Sequence, residues 1–217
     1  SIWRSCNSLH AKMSNRNRNH NSSSTTPQTN VTVVQIDGLV VLKIIKHHHE
    51  ELLQGNDVVQ GALLGLAVDQ RLEITNCFPF PKLGDDEDFN ELTENYQKDM
   101  MRNLRQVNVD YMQVGWYQSA AASTFINRLF VDSQFNYQHS LCDSVALIYD
   151  PAKSARGQIS LRAFRLSPHL LQIIRQDESQ LELFKQLRVS YDSMMTEIPV
   201  VMRNSHLVNA LFCDLED

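Results

Sequence analysis

The run Gly61-Ala62-Leu63-Leu64-Gly65-Leu66-Ala67-Val68 constrains this chain more than any other stretch. A strand with one wet face alternates apolar and polar residues, and this run does not alternate. It is also far shorter than the roughly 18–20 apolar residues that span a bilayer. The reading left is a central strand buried on both faces. Such a strand needs cover above and below, so the chain must place helices on a sheet.

The flanking pattern supplies those pieces. Val31 to Ile36 is β-branched and reads as a strand, turned by Asp37-Gly38. Leu39 to Leu53 reads as a helix ended by Gly55-Asn56, with Leu39, Leu42, Ile45, Leu52 and Leu53 apolar and Val40, Val41 and Ile44 widening the stripe. After Asp69-Gln70-Arg71, the residues Leu72, Ile74, Phe78 and Phe80 alternate as in a hairpin partner, and Pro79 and Pro81 end the pairing. Lys82 to Asp88 is an acidic loop. Phe89 to Val107 reads as a helix, Tyr111 to Tyr117 as a strand and Phe125 to Tyr137 as a helix. Ser144 to Tyr149 and Ile159 to Leu166 read as strands, the first stopped by Asp150-Pro151. Two helices then carry Leu170, Leu171 and Ile174, and Leu181, Phe184 and Leu187. A strand follows over Glu197 to Met202, and a last amphipathic piece carries Leu207, Leu211 and Leu215. The expected class is α/β, a mixed sheet flanked by helices with C-terminal helices.

Residues 1–30 are rich in Asn, Ser, Thr and Arg and lack periodicity, so disorder is expected there. A methionine at position 13, before Ser-Asn-Arg, is expected to be the native start, with residues 1–12 foreign to it. This segment carries about +4 from Arg4, Lys12, Arg16 and Arg18, within a net charge of −5. The body is therefore acidic, which argues against a face that holds RNA by counterion release. Direct sequence-specific nucleic-acid binding is not expected. No C-x-x-C occurs among Cys6, Cys77, Cys142 and Cys213, which removes a zinc ribbon and leaves reduced thiols. The N-terminus has no apolar h-region of a signal peptide, and no membrane association is expected.

The motif with chemical content is Val114-Gly115-Trp116-Tyr117-Gln118-Ser119-Ala120-Ala121. It resembles the V-G-W-Y-H-S-H-P stretch of the MPN family of metalloproteases, in which two histidines hold a catalytic zinc. Val58 to Gly65 matches that family's upstream strand, and Ser144 to Pro151 the strand that ends in Asp-Pro. The resemblance implies the MPN (cytidine-deaminase-like) fold over residues 31–166, followed by an extension over 167–217. A hydrolytic zinc needs three protein ligands, an open position for water and a general base. Here Gln118 and Ala120 stand where the histidines belong, and Val58 where the glutamate base belongs. The later acid falls on Phe130 or Val131, according to where a one-residue gap is placed. Gln118 is a poor zinc ligand and Ala120 is none. Asp57 and Asp132 lie one residue off, and such an offset turns a side chain about 100° away on a helix or to the other face of a strand. The resemblance is thus to the non-catalytic branch: no enzyme, no metal, no cofactor.

Other histidines offer no replacement. His47-His48-His49 splay about 100° apart on a helix and cannot face one ion together, so a solvated helix end is expected. No G-x-S-x-G, P-loop or G-x-G-x-x-G is present.

Longer signatures narrow the resemblance. Leu72-Glu73-Ile74-Thr75-Asn76-Cys77-Phe78-Pro79-Phe80-Pro81, Arg105 to Asp110, Glu197-Ile198-Pro199-Val200 and Asn204-Ser205 resemble the h-subunit family of eukaryotic translation initiation factor 3. That resemblance implies a cytoplasmic scaffold that pairs with MPN and PCI subunits of the factor and meets the small ribosomal subunit through the complex. It also implies a longer C-terminal helical region, so the chain is expected to be a fragment or short form. The stripe Leu207, Leu211 and Leu215 is a candidate partner-binding face. Two other readings stay open: a non-catalytic MPN subunit of the proteasome lid or signalosome, and a zinc-dependent isopeptidase acting on ubiquitin-like conjugates.

Overall fold

A computed structural model describes residues 31–81, 89–107, 112–120, 125–168, 170–171, 194–204, 206 and 209–210. The N-terminal segment, the acidic loop, Leu181, Phe184, Leu187 and the stripe Leu207, Leu211 and Leu215 lie outside the described residues.

The elements are β1 (Val33–Asp37), α1 (Gly38–Leu53), β2 (Gln60–Val68), β3 (Arg71–Pro79), α2 (Phe89–Gln106), β4 (Met112–Ser119), α3 (Arg128–Ser140), β5 (Val145–Tyr149), α4 (Pro151–Ser154), β6 (Leu161–Leu166), β7 (Met195–Ile198) and β8 (Val200–Arg203). The strands form one mixed sheet in the order β7-β6-β5-β4-β2-β3-β1-β8. β2 sits in the interior between β3 and β4, antiparallel to both. Only the first half of the strand is covered twice: Gly61 to Gly65 are buried, whereas Leu66 is 54% exposed and Ala67 is exposed, so the expected burial on both faces does not extend to Val68. Leu63 joins the core under α1, while Ala62 and Leu64 meet Tyr96, Met100 and Leu104 of α2. β5 is buried along its whole length: Val145, Leu147 and Tyr149 face the α1 side, and Ala146 and Ile148 face α3.

The first and last strands of the sheet order are consecutive in the chain. Pro199 alone separates β7, paired with β6, from β8, paired with β1. Residues 195–203 are thus one extended stretch that changes partner at its midpoint, and the sheet curls until its two edges share that stretch. Proline suits the changeover because it has no N–H to offer a ladder, while its carbonyl accepts from Val34 N at 2.9 Å. Each terminal strand is only four residues long, which leaves little unpaired edge to invite aggregation.

Three sequence expectations change. The helix read from Phe125 begins at Arg128, because Asn127 is extended and its side chain accepts from Phe130 N at 2.8 Å, an N-cap. The strand read as ending at Tyr117 runs on through Ser119, so Gln118 and Ser119 belong to it. The largest change is the buried face of α1. Val40, Val41, Ile44 and His48 are inside, whereas Leu39, Leu42 and Leu53 are 61%, 59% and 77% exposed. β-Branched residues on one stripe pack closely on the sheet, and the leucines lie on the other side. His48 continues the buried stripe four residues after Ile44, so the triple-histidine segment is not a solvated end.

Candidate functional site

The site is built where β2 begins and β4 ends. Two glycines let these strands and their neighbours approach. A Cβ on Gly61 would lie 2.5 Å from the Tyr117 hydroxyl, and one on Gly115 would strike the Val145 backbone, 3.0 Å from its nitrogen. β4 runs parallel to β5 and antiparallel to β2, which sets Gln118 opposite Gln60. The end of β4 is fixed by its own backbone. Ser119 N donates to Val59 O at 2.9 Å, and Ala120 N donates to Tyr149 O at 3.0 Å. Ser119 Oγ accepts from Val59 N at 2.9 Å and donates to Asp57 O at 3.2 Å. Ser119 is fully buried, so these bonds satisfy it where water cannot.

Above this junction lies a cleft of about 700 Å³. Gln118, Ala120 and Val58 all line it, together with His48, Asp57 and Gln60. The first three are positions that the sequence resemblance aligns with the metal motif, and the fold brings them to one place. Val131 is not among the lining residues; its side chain packs toward Leu166 and Leu170. Its neighbour Phe130 lines the cleft instead, which is where the N-cap at Asn127 sends the first turn of α3. Asp57 also reaches the cleft, contrary to the offset argument. Residues 56–59 are not in a strand, so the alternation rule does not govern them. Asp132 stays on the surface of α3, paired with Arg128 at 3.6 Å. Ala121 lies outside the described residues.

The lining includes an amide pair at the mouth of the cleft: Gln60 Nε2 donates to Gln118 Oε1 at 3.1 Å. Gln118 is 8% exposed. Beside it, His48 is buried, stands edge-on to Tyr149 with centroids 5.8 Å apart, and leaves Nδ1 without a hydrogen-bond partner among the described residues. Burial lowers the His48 pKa, against the opposing field of Asp57 and with help from His49. His47 Nδ1 meets the Tyr117 hydroxyl at 2.9 Å. Burial holds the Tyr117 phenol protonated well beyond the usual tyrosine range.

Behind the cleft a relay of side chains ties three elements together. Trp116 Nε1 donates to Gln134 Oε1 at 2.8 Å. Gln134 Nε2 donates to Gln138 Oε1 at 3.1 Å, which also accepts from Leu166 N at 2.7 Å. Both glutamines are buried, so α3 is tied to β4 and β6 by hydrogen bonds shielded from water. Nothing in a polar sequence such as Asp132 to His139 marks its glutamines as internal. The signal is their spacing, Gln134 and Gln138, four residues on from Phe130 and from each other.

The chemical capacity follows from this donor set. Among the described lining residues, His48 and Asp57 are the groups a divalent zinc would accept, one imidazole and one carboxylate. Three protein ligands are needed, and the two further positions hold an amide and a methyl. No group of three or more His, Cys, Asp or Glu among the described residues is arranged to hold a metal ion. The residues do not fit a hydrolytic zinc, and no zinc-dependent step can be drawn through them.

The family model described as JAB1/Mov34/MPN/PAD-1 ubiquitin protease matches residues 29–142, more than half of the chain. The chain belongs to the MPN family. A second model, described as the C-terminal region of eIF3h, matches residues 154–217. This MPN chain is 54% identical over 190 residues to the H subunit of eukaryotic translation initiation factor 3 from Xenopus laevis, covering 87% of this chain and 56% of that protein. It is 52% identical over 193 residues to the factor's H-B subunit from Danio rerio, covering 88% and 57%. It is 47% identical over 193 residues to the H subunit from Bombyx mori, covering 88% and 56%. The chain thus spans a little over half the length of these relatives. No helix among the described residues is long and apolar enough to cross a membrane.

Proposed function

We propose that this chain is a non-catalytic scaffold subunit of the eukaryotic translation initiation factor 3 complex. In this reading it supports assembly of the initiation complex on the small ribosomal subunit in the cytoplasm. The observation that carries the proposal is the cleft at the end of β4. There Gln118, Ala120, Val58 and Phe130 present an amide, a methyl, an isopropyl and a phenyl group where water activation needs imidazoles and carboxylates. Relatives named as the H subunit of that factor support the choice of assembly over the proteasome lid or signalosome. Its partners are then the MPN and PCI subunits of the factor. Residues 31–166 form the MPN unit in this proposal, and residues 167–217 extend from it.

Affinity purification of the tagged full protein from cells, read by mass spectrometry, tests the assignment. Initiation factor 3 subunits with the small ribosomal subunit are the expected company. Lid or signalosome subunits in their place would overturn it. Metal analysis with a ubiquitin-chain cleavage assay tests the non-catalytic half: stoichiometric zinc together with cleavage would reverse that conclusion.

A further inference from the structure

We infer that the cleft at the end of β4 binds an extended, uncharged peptide segment and takes one of its apolar side chains. The inference rests on the non-catalytic reading of the cleft and names what the cleft holds. At about 700 Å³ it lies within the range of about 300–1,000 Å³ usual for ligand sites. Its lining is nearly free of charge. Among the described lining residues Asp57 is the one charged group, since burial favours the neutral His48 imidazole, and no lysine or arginine stands with them. A phosphate or carboxylate brought here would lose its water and gain no cation. The lining therefore selects a neutral ligand.

The amide pair says which neutral groups are read. Gln60 Nε2 and Gln118 Oε1 satisfy one another. Among the described residues this leaves Gln118 Nε2 as an unengaged donor and Gln60 Oε1 as an unengaged acceptor. Gln118 Nε2 is not sealed from solvent, although Gln118 as a whole is 8% exposed. The free donor and acceptor sit on the two amides that share a bond, so they are near neighbours. A residue in an extended chain turns its own N–H and C=O to the same side, as it does when antiparallel strands exchange paired bonds. Such a residue can donate to Gln60 and accept from Gln118 at once. Beside this edge the lining is apolar: Val58, Ala120, Leu129 and Phe130. Val58 and Leu129 are 49% and 75% exposed, and a side chain seated between the walls would cover apolar surface now in water.

NMR titration of the full chain tests the site. The probe is N-acetyl-L-leucine N-methylamide, a single capped residue with both backbone groups, an apolar side chain and no charge. It should shift the side-chain amide signals of Gln60 and Gln118 and the indole signal of Trp116 along one saturable curve. N-acetyl-L-leucine, which differs by its free carboxylate, should show no saturation over the same range. Gln118→Leu removes the donor and should weaken the probe about two- to tenfold, read on the Trp116 signal. Absence of a saturable shift, or equal binding of the carboxylate, would overturn the inference. Tighter binding of N-acetyl-L-lysine N-methylamide would overturn it too, because it would give the cleft to a cation at Asp57. Repeating the titration with EDTA keeps the two readings apart. Binding that disappears with the chelator would place a metal in the cleft and reverse the non-catalytic reading. No binding with or without the chelator would sink the peptide site alone.

Discussion

Gln60 and Gln118 face each other across the β2–β4 ladder, and the amide of the first donates to that of the second at 3.1 Å. The bond lies at the mouth of the cleft: Gln60 is exposed, while Gln118 is buried. Gln118→Leu therefore frees an amide that water can reach. The expected loss is about 0.5–1.5 kcal/mol of unfolding free energy, the net worth of an ordinary hydrogen bond. Urea denaturation measures it. A loss far above that range would mean that the pair holds the strand end together.

Gln134 is the opposite case. Gln134→Leu leaves Trp116 Nε1 without its acceptor in a buried site and removes a donor from Gln138. Leaving a buried polar group unsatisfied costs about 1–3 kcal/mol. The urea midpoint should fall further than for Gln118→Leu, with the m-value unchanged. Equal midpoints for the two variants would show that the relay adds no stability.

Acid should destabilise the fold through His48. Its folded pKa is depressed from 6.5 chiefly by burial, so the unfolded chain takes up a proton before the folded one does. Stability from this group is present above about pH 6.5 and declines as pH falls from there through the folded pKa. Tyr149 packs against the ring, and Asp57 and His49 supply the local charges. His48→Phe keeps an edge-on aromatic contact and removes the titration. Unfolding curves at a series of pH values should show a shallower fall below about pH 6.5 in the variant. An unchanged slope would assign acid sensitivity elsewhere.

Gly115→Ala should be among the most damaging single changes. The added Cβ meets the backbone of Val145, not a side chain that can swing aside. β4 and β5 are central, hydrogen-bonded strands, so neither backbone has room to retreat. A loss of more than about 3 kcal/mol is expected, or failure to recover soluble protein. A near-native Tm would show that the strands can part at little cost.

Thiol labelling should separate two cysteines. Cys77 is buried, and burial pushes its pKa up to about 11 despite the field of Lys43. Cys142 is exposed. Maleimide should modify Cys142 in the native protein and Cys77 only after denaturation. Native labelling of Cys77 would reveal local opening of β3.

The chemistry of the cleft was legible because zinc chemistry depends on residue types. Gln118 and Ala120 are read directly from the sequence, and no arrangement of the backbone turns a methyl into an imidazole. Which of Phe130 and Val131 reaches the cleft was not legible, because only the cap at Asn127 fixes the phase of α3. His48 was hidden for a related reason. Three adjacent histidines look like solvent-facing residues, and their burial becomes plain only when Val40, Val41 and Ile44 are known to be the inward stripe.

Among the described residues, the sequence by itself determined where most strands and helices lie, and that the first half of β2 is covered on both faces. Those follow from periodicity and hydrophobicity, which are local properties. It could not say which of two apolar stripes of α1 goes inside, since valine, isoleucine and leucine bury with similar free energies. It also could not say that residues 195–203 would pair with β6 over one half and with β1 over the other. Packing and ladder register decided both, because they depend on pairs of residues far apart in the chain, such as Val34 with Val200 and Gly38 with Asn204.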